Sequence, residues 1–159
     1  MTQSPRFIYG VKECLALYLL NSYDFSMTLR KYKSNNNVVY SCKYHVVWCT
    51  KYRRTVLNDA VQKELKIIIS EICIKRKSEI LALKLMVDHV HLLVEVDPQY
   101  GIHKLIKEIK GNSSHFLRKK HKHLRTRLPT LWTNSYFVST VGGAPISIIK
   151  QYVEAQKSL

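Results

Sequence analysis

Two runs of alternating apolar residues, Ile80 to Val87 and His89 to Val96, meet with only Asp88 between them. A period of two marks a strand with one buried face. A connection this short joins antiparallel neighbours only, because a parallel crossover needs a dozen residues or more. The middle of the chain is thus committed to a β-hairpin, and the other elements must pack around it. Upstream, Val38 to Thr50 is rich in Val, Tyr and Trp and predicts a long strand. Asn58-Asp59 reads as a helix cap, and Val61, Leu65, Ile68, Ile69 and Ile72 follow at helical spacing, so a helix is expected to about Lys75. Downstream, Asp97-Pro98 stops the hairpin. Ile102, Leu105, Ile106 and Ile109 then open a second helix that extends through Phe116 and Leu117. Leu131 to Val141 predicts a fourth strand, and Pro145 to Gln156 a last helix with proline in its first turn. Strand, helix, strand, strand, helix, strand, helix fits an α+β, ferredoxin-like (RRM-like) sandwich, with one antiparallel sheet and helices on one face.

At 159 residues this is one domain with one sizeable core. Its charge is unusual: 26 Lys and Arg against 11 Asp and Glu, a formal +15. Such an excess calls for a polyanionic partner, nucleic acid or an anionic membrane surface. No segment approaches the roughly 20 apolar residues of a membrane span. Leu15 to Leu20 is too short for a secretory signal and has Glu13 nearby, so a cytoplasmic protein with no membrane partner is expected. Cys14, Cys42, Cys49 and Cys73 form no C-x-x-C pair and read as reduced, small apolar residues. In residues 1–26, Arg6 and Lys12 balance Glu13 and Asp24, so the whole +15 falls in residues 27–159. We read 1–26 as a neutral extension, with Met27 as the natural start of the domain.

The string Asp88-His89-Val90-His91-Leu92-Leu93 carries the chemistry. On a strand His89 and His91 share a face, about 7 Å apart along the backbone, within reach of one metal ion. A solvated pair on an open sheet face is the alternative reading. His121 and His123 repeat the His-x-His pattern, but within a Lys/Arg-rich helical stretch where the two would diverge; they read as part of a basic patch. On the last helix, Tyr152 and Gln156 are four apart and share a face. Two imidazoles and the Gln156 oxygen would leave positions on Mg²⁺ or Mn²⁺ for phosphate and water. Such an ion would help Tyr152 attack as the phenolate. Taken alone, Tyr152 is equally an ordinary helix aromatic, one of ten tyrosines.

Together these strings resemble the single-tyrosine His-hydrophobic-His (HUH) transposases of the insertion-sequence 200/605 family. The carriers are Tyr44-His45-Val46-Val47-Trp48-Cys49-Thr50-Lys51-Tyr52-Arg53-Arg54, the Asp88-to-Leu93 strand and Lys110-Gly111-Asn112-Ser113-Ser114. Ser135-Tyr136-Phe137, Val141-Gly142-Gly143-Ala144-Pro145 and the Tyr152-to-Gln156 helix complete the set. The resemblance implies a homodimer that transposes single-stranded DNA with hairpin ends through a 5′-phosphotyrosine link. It makes Tyr152 the catalytic nucleophile and His89, His91 and Gln156 the metal ligands. It also implies that the tyrosine helix can complete a partner's site, with Gly142 and Gly143 as its hinge.

For DNA we expect contacts from Lys51, Tyr52, Arg53 and Arg54, with Tyr52 stacking on an unpaired base. A second basic tract holds Lys110, Arg118, Lys119 and Lys120 along the second helix, aimed at phosphates. Ser113 and Ser114 could bond to DNA or could pack the helix beside Gly111. Other readings share parts of the pattern. One is a non-catalytic nucleic-acid-binding module, although no RNP-like aromatic motif accompanies the sheet. Another is a rolling-circle or domesticated HUH endonuclease.

Overall fold

The computed structural model describes residues 32–141. They fall into two compact units that part between Ser41 and Cys42. In the first, β1 (Lys33–Ser34) pairs antiparallel with β2 (Val39–Tyr40), with Lys33 opposite Tyr40. The Asn35 side-chain oxygen makes the turn by accepting from the amides of Asn37 and Val38, at 3.0 and 2.9 Å. The strand expected over Val38 to Thr50 is therefore two strands. Asn35 folds Val39–Tyr40 back on β1, and only β3 (Lys43–Cys49) belongs to the larger sheet.

In the second unit α1 (Asp59–Lys75) ends where the apolar spacing ends. The Asn58 side chain caps it by accepting from the Val61 amide at 3.0 Å. At its other end Lys77 adopts φ +52°, Ser78 N–H bonds to Cys73 O at 2.9 Å and Lys77 N–H to Ile74 O at 3.0 Å. That is a Schellman closure with lysine where glycine is usual. β4 (Glu79–Leu85) and β5 (His89–Glu95) form the expected hairpin, closed by Met86 N–H on His89 O at 2.9 Å. α2 (Ile102–Lys120) and the short α3 (Lys122–Arg127) follow, and β6 (Phe137–Thr140) closes the sheet.

The sheet order is β4-β5-β3-β6, antiparallel throughout. β3 and β4 both flank β5, and β5 and β6 both flank β3. Each pair therefore runs parallel and is joined through a helix, which is the ferredoxin-like arrangement. Val46 and Trp48 of β3 and Val90, Leu92 and Val94 of β5 pack against Val61, Leu65 and Ile69 of α1 and Leu105, Ile109 and Leu117 of α2, all at most 1% exposed. An Arg76–Glu108 pair at 2.7 and 2.9 Å ties the end of α1 to α2, and Tyr100 donates to the same carboxylate at 2.6 Å.

The expected strand from Leu131 is shorter in the structure. Leu131 and Trp132 are buried in the core instead of joining β6, and Trp132 makes only an isolated bridge to Thr50. Trp132 Nε1 donates to Ser113 Oγ at 2.9 Å, which pins this segment to α2. The expected last helix with Tyr152 and Gln156, the expected hinge at Gly142-Gly143 and the expected boundary at Met27 all fall outside the described residues.

Candidate active site

Alternation along β5 sends Val90, Leu92 and Val94 into the helix-covered core and His89, His91, Leu93 and Glu95 to the other face. The two histidine rings meet edge to face, with centroids 5.0 Å apart. His91 is only 4% exposed, so this is not a solvated pair on an open sheet. Its Nε2 is buried and has no hydrogen-bond partner among the described residues. An orphaned buried polar atom costs about 1–3 kcal/mol, and a cation at that nitrogen would relieve the cost.

His89 is held from the hairpin turn. Asp88 Oδ1 accepts from its Nδ1 at 2.5 Å, and Arg53 donates to the other carboxylate oxygen, Oδ2, at 3.1 Å. The Asp88 carbonyl in turn accepts from the Thr50 amide at 2.8 Å and from its hydroxyl at 3.1 Å. A carboxylate on the distal nitrogen of a histidine fixes its tautomer and sharpens it as a metal ligand. Burial works to raise the Asp88 carboxyl, but the hydrogen bonds from His89 and Arg53 outweigh it and hold it below the usual carboxylate range. Burial, then the neighbouring His89, His45 and Lys84, lowers His91 to about 4. At neutral pH its imidazole is therefore uncharged, the form that binds metal.

His45, on β3, shares this face. Its ring stacks on His91 with centroids 5.4 Å apart and planes 11° apart, and its Nε2 lies 3.2 Å from His91 Nδ1. Phe137 of β6 packs its edge on His45 at 6.4 Å. The sequence reading missed both Asp88 and His45 as parts of the site. The adjacency of Asp88 to His89 was a usable signal. His45 becomes visible only through the pairing register. Among the described residues, no group of three or more His, Cys, Asp and Glu is placed to hold a metal. The histidine pair thus fits a metal by its donor atoms but needs a further ligand from elsewhere, the role expected of Gln156.

The basic residues divide by what they touch. Lys51–Arg53 form a single 3-10 turn in which Tyr52 and Arg53 take φ of +59° and +51°. Two such non-glycine residues in succession cost about 1–2 kcal/mol each. The turn displays Tyr52, 67% exposed with Lys51 over its ring at 5.0 Å, and directs Arg53 to Asp88. Arg54 and Lys119 are exposed. Lys110 donates to the carbonyls of Asn134 and Ser135 at 3.0 and 3.1 Å and lies over Tyr136. Arg118 donates to the carbonyls of Pro129 and Leu128, and Lys120 pairs with Glu64 at 2.8 Å. A groove of about 480 Å³ runs between α2 and residues 130–136, lined by Lys107, Lys110, Ser114 and Tyr136 among others.

Two expectations are corrected here. Ser113 is fully buried, donating to Ile109 O at 2.6 Å and accepting from Trp132, so it packs α2 and does not face DNA. His121 and His123 flank the break between α2 and α3, where His121 bonds to Glu64 and His123 to Val56 O. They belong to the scaffold and not to a displayed basic patch.

The family model described as "Transposase IS200 like" matches residues 38–156. The ISDra2 transposase TnpA of Deinococcus radiodurans is 35% identical over 126 residues, covering 78% of this chain and 90% of that protein. The transposase for insertion sequence element IS200 of Salmonella typhimurium is 29% identical over 130 residues, 79% of this chain and 86% of that one. A crystal structure of a candidate transposase from Deinococcus radiodurans superposes with TM-score 0.64 at 37% identity, over 80% of this chain and 99% of that one. A REP-associated tyrosine transposase solved with a REP hairpin shares the fold, with TM-score 0.55 at 15% identity over 77% of this chain and 68% of that one. The matched stretch spans β2 to β6 and the His89/His91 strand, and on that basis the chain belongs to the IS200-like transposases and is a DNA transposase.

Proposed function

We propose that this transposase cuts and rejoins single-stranded DNA at insertion-sequence ends, with Tyr152 as nucleophile and His89, His91 and Gln156 holding Mg²⁺ or Mn²⁺. The observation that carries the reading is the buried His91 Nε2, without a hydrogen-bond partner among the described residues, beside a His89 oriented by Asp88. A bound divalent ion supplies positive charge to the scissile phosphate and the leaving oxygen. Tyr152 gives up its phenolic proton, and its oxygen bonds to phosphorus as the bond from phosphorus to the 3′ oxygen breaks. That oxygen takes up a proton and leaves as a free 3′-OH, while the 5′ phosphate stays on Tyr152. In rejoining, the 3′-OH of another strand end attacks the same phosphorus and Tyr152 regains its proton.

The exposed Tyr52, with Lys51 over its ring and the exposed Arg54 two residues on, is suited to an unpaired base and its phosphates. The Lys110 and Ser114 groove offers a second contact, with Lys119 exposed at the end of α2. The tyrosine transposase of the same fold that was solved with a REP hairpin is in keeping with a hairpin in the DNA partner. We propose a homodimer as well. Among the described residues β6 ends the sheet as an edge strand with all four residues exposed, Phe137 and Val138 among them, and an exposed apolar edge favours pairing. Gly142 and Gly143 would be the hinge of the tyrosine helix, Met27 the natural start, and the cytoplasm the location. Among the described residues no helix is long and apolar enough to cross a membrane.

The test is a denaturing gel of labelled single-stranded element ends incubated with protein and Mg²⁺ or Mn²⁺. A slow-migrating adduct lost in Tyr152→Phe, in His89→Ala with His91→Ala, and in chelator is expected. Tight binding with neither adduct nor cleavage would overturn the catalytic reading.

A further inference from the structure

We infer that His45 is a positioning residue for the metal-binding pair: its ring lies on His91 and its Nε2 pairs with His91 Nδ1, which keeps the His91 Nε2 lone pair free for a cation. The inference rests on the proposal that His89 and His91 hold the metal. Register creates the contact. His45 sits opposite Leu93 and Val47 opposite His91, so His45 is the diagonal same-face neighbour of His91 across the β3–β5 ladder. Phe137 walls the contact from β6.

A neutral imidazole has one N–H and one lone pair, and the hydrogen bond at one nitrogen sets which the other carries. At 3.2 Å, one of His45 Nε2 and His91 Nδ1 donates and the other accepts. Were His45 the donor, the proton on His91 would sit on its buried Nε2, a donor with no acceptor among the described residues. Buried unpaired donors are the rarer defect. With His91 donating, Nε2 keeps its lone pair. Asp88 sets the same state in His89 by accepting at Nδ1. Both ligands therefore offer Nε2, one oriented by a carboxylate and the other by an imidazole in the place a carboxylate or carbonyl usually takes.

Long-range ¹H–¹⁵N correlation of the metal-free protein at neutral pH reads the ring nitrogens directly. A pyrrole-like Nδ1 and a pyridine-like Nε2 on His91 are expected. Titration with Mn²⁺ alone, followed by calorimetry, should show affinity falling about 10-fold or more in His45→Phe, with much of it recovered in His45→Gln, whose amide oxygen can accept the same hydrogen bond. Thermal melts of both variants monitor folding. The inference is overturned if wild-type His91 carries its proton on Nε2, or if folded His45→Phe binds Mn²⁺ within about twofold of wild type. If His89→Ala with His91→Ala binds Mn²⁺ like wild type, the two-histidine metal site is refuted and the positioning role falls with it, while the metal-free ring-nitrogen spectrum still decides whether His45 sets the His91 tautomer.

Discussion

Acidifying the metal-free protein should remove stability through His91 before the carboxylates titrate. Folding lowers this imidazole from its ordinary 6.5 to about 4, burial being the first cause. Below pH 6.5 the unfolded chain takes a proton that the folded chain refuses until about pH 4. Stability from this group is therefore complete above 6.5 and is lost as pH falls through the window. The full offset corresponds to about 3 kcal/mol. Between pH 7 and pH 5 about 2 kcal/mol of it should disappear. His91 is 4% exposed, so solvent screening does not reduce the figure much. Urea unfolding in chelator, followed by fluorescence of the buried Trp48 and Trp132, measures the loss at each pH. His45 is also lowered by burial and adds in the same direction, so the comparison is with His91→Leu, which removes the His91 titration and the orphaned nitrogen together. The variant should lose about 2 kcal/mol less than wild type over this range. Equal losses in the two proteins would show that His91 does not carry this pH dependence.

Asp88→Asn should weaken Mn²⁺ binding about 10–100-fold by calorimetry. Its melting temperature should move little, because the Arg53 partner is 62% exposed and such ion pairs contribute under about 1 kcal/mol; unchanged affinity would count against the orienting role. Ser113→Ala should cost about 1–3 kcal/mol by leaving the Trp132 indole unpaired, without changing affinity for single-stranded DNA. A loss of DNA affinity at unchanged stability would contradict its packing role. Lys77→Gly should raise stability by about 0.5–1 kcal/mol in chemical unfolding, since glycine adopts φ +52° without a Cβ clash. Destabilisation would show that the lysine side chain makes contacts worth more than the strain.

The hairpin and both long helices were legible because their signals are local. Alternation sets β4 and β5, Asn58 caps α1, and the apolar spacing from Ile102 onward sets α2. Val38 to Thr50 was overread because Val and Tyr favour strands on either side of Ser41-Cys42, while the split follows from a turn at Asn35. Leu131 to Val141 was overread for a related reason: Trp132 is claimed by Ser113, a tertiary partner that propensity does not show. Ser113 itself was recoverable, since Leu105, Ile109, Ser113 and Leu117 are spaced by four along one buried stripe. His89 and His91 could be placed on one face from the sequence, whereas the neutral state of His91 follows from its burial in the fold and from its neighbours there. His45 needed the β3–β5 register, which no local pattern encodes.

The proposed function requires that Tyr152, among ten tyrosines, carries the DNA. The direct measurement is to trap the covalent adduct on a single-stranded element end with Mn²⁺, digest it with protease and nuclease, and sequence the modified peptide by mass spectrometry. The expected result is one peptide bearing a 5′-linked nucleotide on Tyr152. A nucleotide on another tyrosine, or cleavage with no peptide bearing one, would contradict the claim.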